Sequence, residues 1–205
     1  NNDTPFYAPD LHITLVDPHR AGHETTYYPG ETNLRMAHLL IVNKVDTADP
    51  VKVEEVIDSC HVANPDAKVI KCRSVIGIEQ PELVSGKRAL VVEDGPTLTH
   101  GGMTYGAGWF AAKQAGAAEI VDPKPYAVGT LKDTYASYPN AANILPAMGY
   151  GEQQVKDLEA TINATPADVV VEGTPMCRKR ILKPNKPVAN VTYELEEVAP
   201  GVIET

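Results

Sequence analysis

Three cysteines in 205 residues, with no C-x-x-C pair among Cys60, Cys72 and Cys177, argue against a disulfide framework and a cysteine-based zinc site. Basic charge is scarce as well. Eighteen Lys and Arg stand against 27 Asp and Glu, a formal net charge of -9, so the chain lacks the clustered cations that nonspecific nucleic-acid binding requires. An anionic ligand must therefore be held by local groups, not by a global field. No apolar run approaches the roughly 20 residues of a bilayer span, and Asn1-Asn2-Asp3 has neither the basic nor the apolar region of a signal peptide. No membrane contact is expected, and a reducing cytoplasm is the expected location. The start also lacks Met, so the chain is expected to be processed, truncated or part of a longer protein. Finally, the phosphate-cradling loop G-x-x-x-x-G-K-[ST] occurs nowhere.

What is present is ordinary globular material, 43% hydrophobic and 22% charged, enough for one domain or two small lobes. Leu11 to Val16 reads as a strand that meets Asp17-Pro18, and Leu39 to Val42 as a second strand after a polar stretch. Apolar spacing at Val53, Val56, Ile57 and His61 predicts a helix over 51–64, with a strand at 69–72. Further strands are read at 88–92, 168–171 and 186–195, and helices at 109–115 and 152–164. This repeated order predicts an α/β fold with a mainly parallel sheet and helices on both faces. Ligands in such sheets sit at the carboxyl ends of strands, where every unusual loop of this chain falls.

The first such loop is Asn43-Lys44-Val45-Asp46, in the stretch LLIVNKVDTADP. An Asp46 carboxylate can accept two guanine N–H groups, Asn43 can meet the acceptor edge, and the Lys44 stem can lie over the ring. The plain alternative is a polar strand end with a helix cap. Ser74 stands where a second base contact would be added. In DPHRAGHE, His19 and His23 are four apart, but Pro18 and Gly22 favour a loop over a zinc-binding helix. Anion contact by His19, Arg20 and His23 is the better functional reading, against a loop held by local hydrogen bonds.

The segment EDGPTLTHGGM offers Thr97, Thr99, His100, Gly101 and Gly102 for close approach to phosphate or carboxylate, ahead of a helix N-terminus. Glu93 or Asp94 could hold Mg2+ or accept a proton, Asp94 being the favoured ligand. Here the alternative is a capped tight turn. Lys124 is a further candidate phosphate contact, whereas Arg178 to Arg180 read as solvated surface.

Taken together, NNDTPFYAPDLHITLVDPHRAGHETTYYPGETNLRMAHLLIVNKVDTADP, VVEDGPTLTHGGMTYGAG, EIVDPKPYAVG and LPAMGYGEQQVKDLEATIN resemble the C-terminal half of the cyclic 2,3-diphosphoglycerate synthetase family and related P-loop GTPases. That resemblance implies residues 1–86 as the C-terminal part of a P-loop NTPase-like core and 87–205 as an α/β extension carrying the Gly-rich loop. It implies ATP or GTP with Mg2+, a small phosphorylated substrate such as 2,3-diphosphoglycerate, and a missing N-terminal half supplied in the same or another chain. A homo-oligomer is compatible with it. The implied reaction closes a cyclic phosphoanhydride with ATP, with Glu93, Asp94, His100 and Arg20 in catalytic roles. The alternatives are a GTPase-type switch and a non-enzymatic phosphometabolite-binding or assembly module. Two departures stand out: Asn-Lys-x-Asp favours guanine over adenine, and GTPMCRKR replaces the GTP-I-D-L-x-R pattern of relatives.

Overall fold

The computed structural model describes residues 4–95, 104–139, 141, 143–174, 181–199 and 201–203. The chain forms two compact units, 1–75 with 194–205, and 76–193.

In the first unit, β1 (Ile13–Val16), β2 (Leu39–Val42) and β3 (Lys68–Ile78, which runs on into the second unit) are parallel neighbours, with Ile13 beside Leu39 and Leu39 beside Lys68. Three helices accompany them: α1 (His23–Thr26), α2 (Gly30–Met36) and α3 (Pro50–Ala63). α3 starts where it does because the Asp49 carboxylate accepts the Val51 N–H at 2.9 Å and Pro50 fills a position whose N–H would have no partner. Val53, Val56 and Cys60, at helical spacing, then pack with Leu34 of α2 on Leu40 and Val42 of β2. Asn64, just past α3, donates from Nδ2 to the carbonyls of Leu34 and Ala37, each at 2.9 Å, and so satisfies backbone acceptors at the end of α2.

In the second unit the strand order is β8-β7-β4-β5, all parallel where register is defined, with β6 beside the far end of β4. The strands are β4 (Arg88–Asp94), β5 (Glu119–Ile120), β6 (Leu145–Ala147), β7 (Val169–Glu172) and β8 (Val188–Glu197, which ends in the first unit). Helices α4 (Ala107–Gln114), α5 (Thr130–Ser137) and α6 (Glu152–Ala164) lie between them in sequence. The two-residue period of β4 sorts them. Ala89 and Val91 share a core with Ala111 and Ala112 of α4, whereas Leu90 and Val92 share one with Leu131 of α5 and with Leu158 and Ile162 of α6. Both faces are thus covered, which explains why RALVV and VVVE are continuous apolar runs rather than alternating ones.

The expected α/β class, parallel sheet and helix 152–164 match the structure. Several boundaries differ, among them those of β1, which starts at Ile13 and not Leu11, and β4, which runs to Asp94. The strand expected at 69–72 runs on to Ile78, so Ser74 lies inside a strand and not in the loop after one. The helix expected from Trp109 starts at Ala107, and the strand read at 186–195 spans Val188–Glu197.

Candidate functional site

From β4 the chain passes through α4 to β5 on one side, and later through α6 to β7 on the other side of β4. The connection order therefore reverses between β4 and β7, and the crevice outside their carboxyl ends is where an open α/β sheet accommodates ligands. Val92 is the register partner of Glu172, Glu93 lies against Gly173, and on the other side of β4 Asp94 is the register partner of Ala147.

Glu93 is 2% exposed, and its Oε1 accepts backbone N–H groups at the start of α4, from Gly106 at 3.2 Å and Trp109 at 2.9 Å. A carboxylate suits a helix N-terminus, where N–H groups lack intrahelical partners and the helix dipole is positive. The packing leaves no room beside it. A Cβ at Gly106 would stand 2.6 Å from Glu93 Oε2, and one at Gly173 2.8 Å, so small residues on two separate segments are dictated by this one carboxylate. Burial pushes the Glu93 carboxyl above its ordinary value, against the backbone N–H groups of Trp109, Gly106 and Gly108, which pull it down.

A carboxyl raised on folding keeps its proton longer in the native state, so its contribution is most favourable below the unfolded value of 4.5 and declines as pH rises through the native one. Glu93→Gln, which retains an oxygen for the two N–H groups, is expected to flatten that decline. Tm measured for both proteins between about pH 4 and about pH 8 checks this: equal slopes would contradict it.

Asp94 ends β4 exposed, whereas Glu172 at the end of β7 is buried. Thr174 is buried too, and its hydroxyl oxygen has no hydrogen-bond partner among the described residues. Glu172, Gly173, Thr174 and Gly106 were not singled out from the sequence as site residues. For Glu172 and Gly173 the only local signal was an acidic residue and a glycine ending an apolar strand, because the pairing that brings β7 beside β4 spans about eighty residues of chain. Thr97, Thr99, His100, Gly101, Gly102 and Arg178 to Arg180 lie outside the described residues. Lys124 follows β5 in a short 3-10 turn, where its Nζ donates to the Ala141 carbonyl and its N–H to Asp122 at 3.1 Å.

The remaining candidates belong to the first unit. Asp17, after β1, draws two cations together: Lys44 Nζ lies 2.9 Å and Arg20 Nη2 3.2 Å from its Oδ2. Burial raises the Asp17 carboxyl, but the hydrogen bond and charge of Lys44, the His19 N–H and the Arg20 charge outweigh it and hold the group below the usual range. His19 Nε2 meets the Thr47 hydroxyl at 3.0 Å, so His19, Arg20 and Lys44 share one cluster. His23 stands apart from those bonds, with its ring against Tyr27. Lys44 adopts φ 60, which turns the chain sharply after β2, and Asn43 Oδ1 is buried without a partner among the described residues. Asp46 is exposed. The cap of α3 is Asp49, so a capping role does not account for Asp46.

Among the described residues, no group of three or more His, Cys, Asp and Glu is arranged to hold a metal ion, and no helix is long and apolar enough to cross a membrane.

No protein-family model matches the chain. It is 58% identical over 198 residues to the arginine synthetase ArcE of Thermococcus kodakarensis. The alignment covers 97% of the chain and 44% of that protein, so the chain spans less than half the length of the curated relative it matches. The likeness is to a synthetase. The cyclic diphosphoglycerate product expected from the sequence resemblance has no counterpart in that relative's name.

Proposed function

We propose that this chain is part of a nucleotide-dependent synthetase that forms arginine from ATP, Mg2+ and a precursor carrying its carbon at the urea oxidation level. The supporting observation is the 58% identity to an arginine synthetase across 97% of the chain. Building a guanidino group this way requires the oxygen on that carbon to become a leaving group, which phosphoryl transfer from a nucleotide accomplishes. A nitrogen nucleophile then attacks, with water excluded from the activated species.

The chemistry at the ends of β4 and β7 favours such a substrate. Asp94 and Glu172 are carboxylates beside the switch crevice, and charge-assisted hydrogen bonds to a guanidinium suit them. Glu93 is engaged by the start of α4 and serves as a positioning residue. Asp94, exposed at a strand end, fits the sparse ligand set of Mg2+ bound with a nucleotide, which takes one or two carboxylates and completes its shell with phosphate oxygens and water. A polyanion such as 2,3-diphosphoglycerate would meet like charge from the same groups, although the sequence segments shared with cyclic 2,3-diphosphoglycerate synthetases keep that reading as the second one.

The test uses the whole protein with ATP and Mg2+, offered either ammonia with a ureido amino acid or 2,3-diphosphoglycerate, followed by phosphorus NMR and amino-acid analysis. Arginine formed in step with ATP consumption is expected. A cyclic phosphoanhydride instead would establish the second reading, nucleotide hydrolysis without product would favour a GTPase-type switch, and no turnover would favour a binding module.

A further inference from the structure

We propose that Arg20 and Lys44, braced from behind by Asp17, form a phosphate-binding site at the carboxyl ends of β1 and β2, where the Lys44 ammonium and the Arg20 guanidinium meet the phosphate chain of the nucleotide.

The two cations come from separate loops. Val16 and Val42 are register partners at the ends of β1 and β2, and the Asn43 N–H donates to the Val16 carbonyl at 3.0 Å, so the chain leaves both strands side by side. Arg20 closes the 3-10 turn Pro18–Arg20, whose start is capped by Asp17 through the His19 N–H at 3.1 Å. Lys44 stands at φ 60, a left-handed conformation that glycine or asparagine adopts more readily. Its carbonyl accepts the Thr47 N–H at 3.2 Å and the Ala48 N–H at 3.1 Å, which fixes the backbone there. A lysine in that position is accounted for by what its side chain does.

The charge balance shows what that is. Asp17 is the inner group, its side chain 20% exposed, while Arg20 and Lys44 stand outward at 56% and 43%, and both reach the same oxygen, Oδ2. Every other ion pair among the described residues joins one cation to one carboxylate. Here two cations share one, which leaves the trio with a net positive charge. In a chain of formal net charge -9, such a local excess is what an anion requires. The bonds to Asp17 use Nη2 of Arg20 and one ammonium hydrogen of Lys44, so Nε, Nη1 and the other ammonium hydrogens remain for a ligand. A carboxylate behind two cations keeps them from separating, and a phosphate with several charged oxygens accepts from both. The ring contact expected of Lys44 uses only its aliphatic stem and is independent of this one.

This inference rests on the proposed use of a nucleotide and not on which product the synthetase releases.

The experiment measures the affinity of the whole protein, with Mg2+, for tripolyphosphate, for adenosine and for a ureido amino acid, by titration calorimetry of wild type, Arg20→Met and Lys44→Met. Methionine keeps an apolar stem and removes the charge. Tripolyphosphate is expected to bind about tenfold more weakly to each variant, the size of one charge-assisted hydrogen bond, with the other two probes unchanged. In an Asp17→Asn background the Lys44→Met loss is expected to shrink to about threefold or less, because the cation is no longer held. Unchanged tripolyphosphate affinity overturns the proposal, as does a loss confined to the ureido amino acid, which would assign the cations to a carboxylate. Equal losses for all three probes overturn it too, because they assign the trio to the fold alone, and a Lys44→Met loss of full size without Asp17 overturns the bracing. Wild type that binds neither tripolyphosphate nor ATP overturns the nucleotide reading together with this one.

Discussion

Glu93→Ala is expected to destabilise the second unit by about 1–3 kcal/mol, because two part-buried backbone N–H groups lose their acceptor at about 0.5–1.5 kcal/mol each. The N–H groups are those of Gly106 and Trp109 at the start of α4. Glu93→Gln should recover most of the loss, since an amide oxygen can accept both. The measurement is the urea unfolding midpoint of the three proteins, followed by a signal from the second unit such as Trp109 fluorescence. An alanine variant within about 0.5 kcal/mol of wild type, the range of ordinary surface substitutions, would show that the carboxylate is dispensable. Because Glu93, at the carboxyl end of β4, holds the start of α4, the alanine variant of the whole protein is expected, under the proposed function, to lose arginine formation before it loses its fold.

Gly129→Ala should have an effect of similar size through a different cause. Gly129 precedes α5 with φ 50 and ψ -129, a conformation that costs other residues about 1–3 kcal/mol. The added Cβ would also overlap the carboxylate of Asp157. Asp157 belongs to α6, yet it caps α5: Oδ2 accepts the Thr130 N–H at 2.8 Å and the Thr130 hydroxyl at 2.9 Å. Displacing it therefore loosens the junction of the two helices that cover one face of the sheet. Gly86→Ala separates the two causes, because Gly86 has φ 69 but open space around its Cβ position. The expected result is a Tm loss clearly larger at 129 than at 86, with each kcal/mol worth about 2–4 °C in a chain of this length. Equal losses would assign the whole effect to backbone strain.

The fold class was legible in the sequence because both of its signals are local. Continuous apolar runs such as RALVV mark strands buried on both faces, and the apolar positions Val155, Leu158 and Ile162 mark one face of α6. The site was legible in part. Glu93 and Asp94 stood out as acids ending a strand before a glycine-rich loop, but nothing local distinguishes Glu93, held by the α4 backbone, from Asp94, exposed to solvent. That difference comes from the pleat, which sends neighbouring side chains to opposite faces, and from where a helix thirteen residues later begins. Gly173 was illegible for the same reason, since strand order sets its proximity to Glu93. In the first unit, the sequence offered Lys44 and Arg20 as separate contacts. The shared carboxylate that gathers them, Asp17, emerges only when β1 and β2 are laid side by side.

Hydrogen exchange of the whole protein, with and without ATP, Mg2+ and arginine, decides whether the ends of β4 and β7 hold the ligand. New protection is expected at residues 93–95 and 172–174, the carboxyl ends of the two strands where the connection order reverses. Ligand-dependent protection that leaves both strand ends unchanged would contradict it.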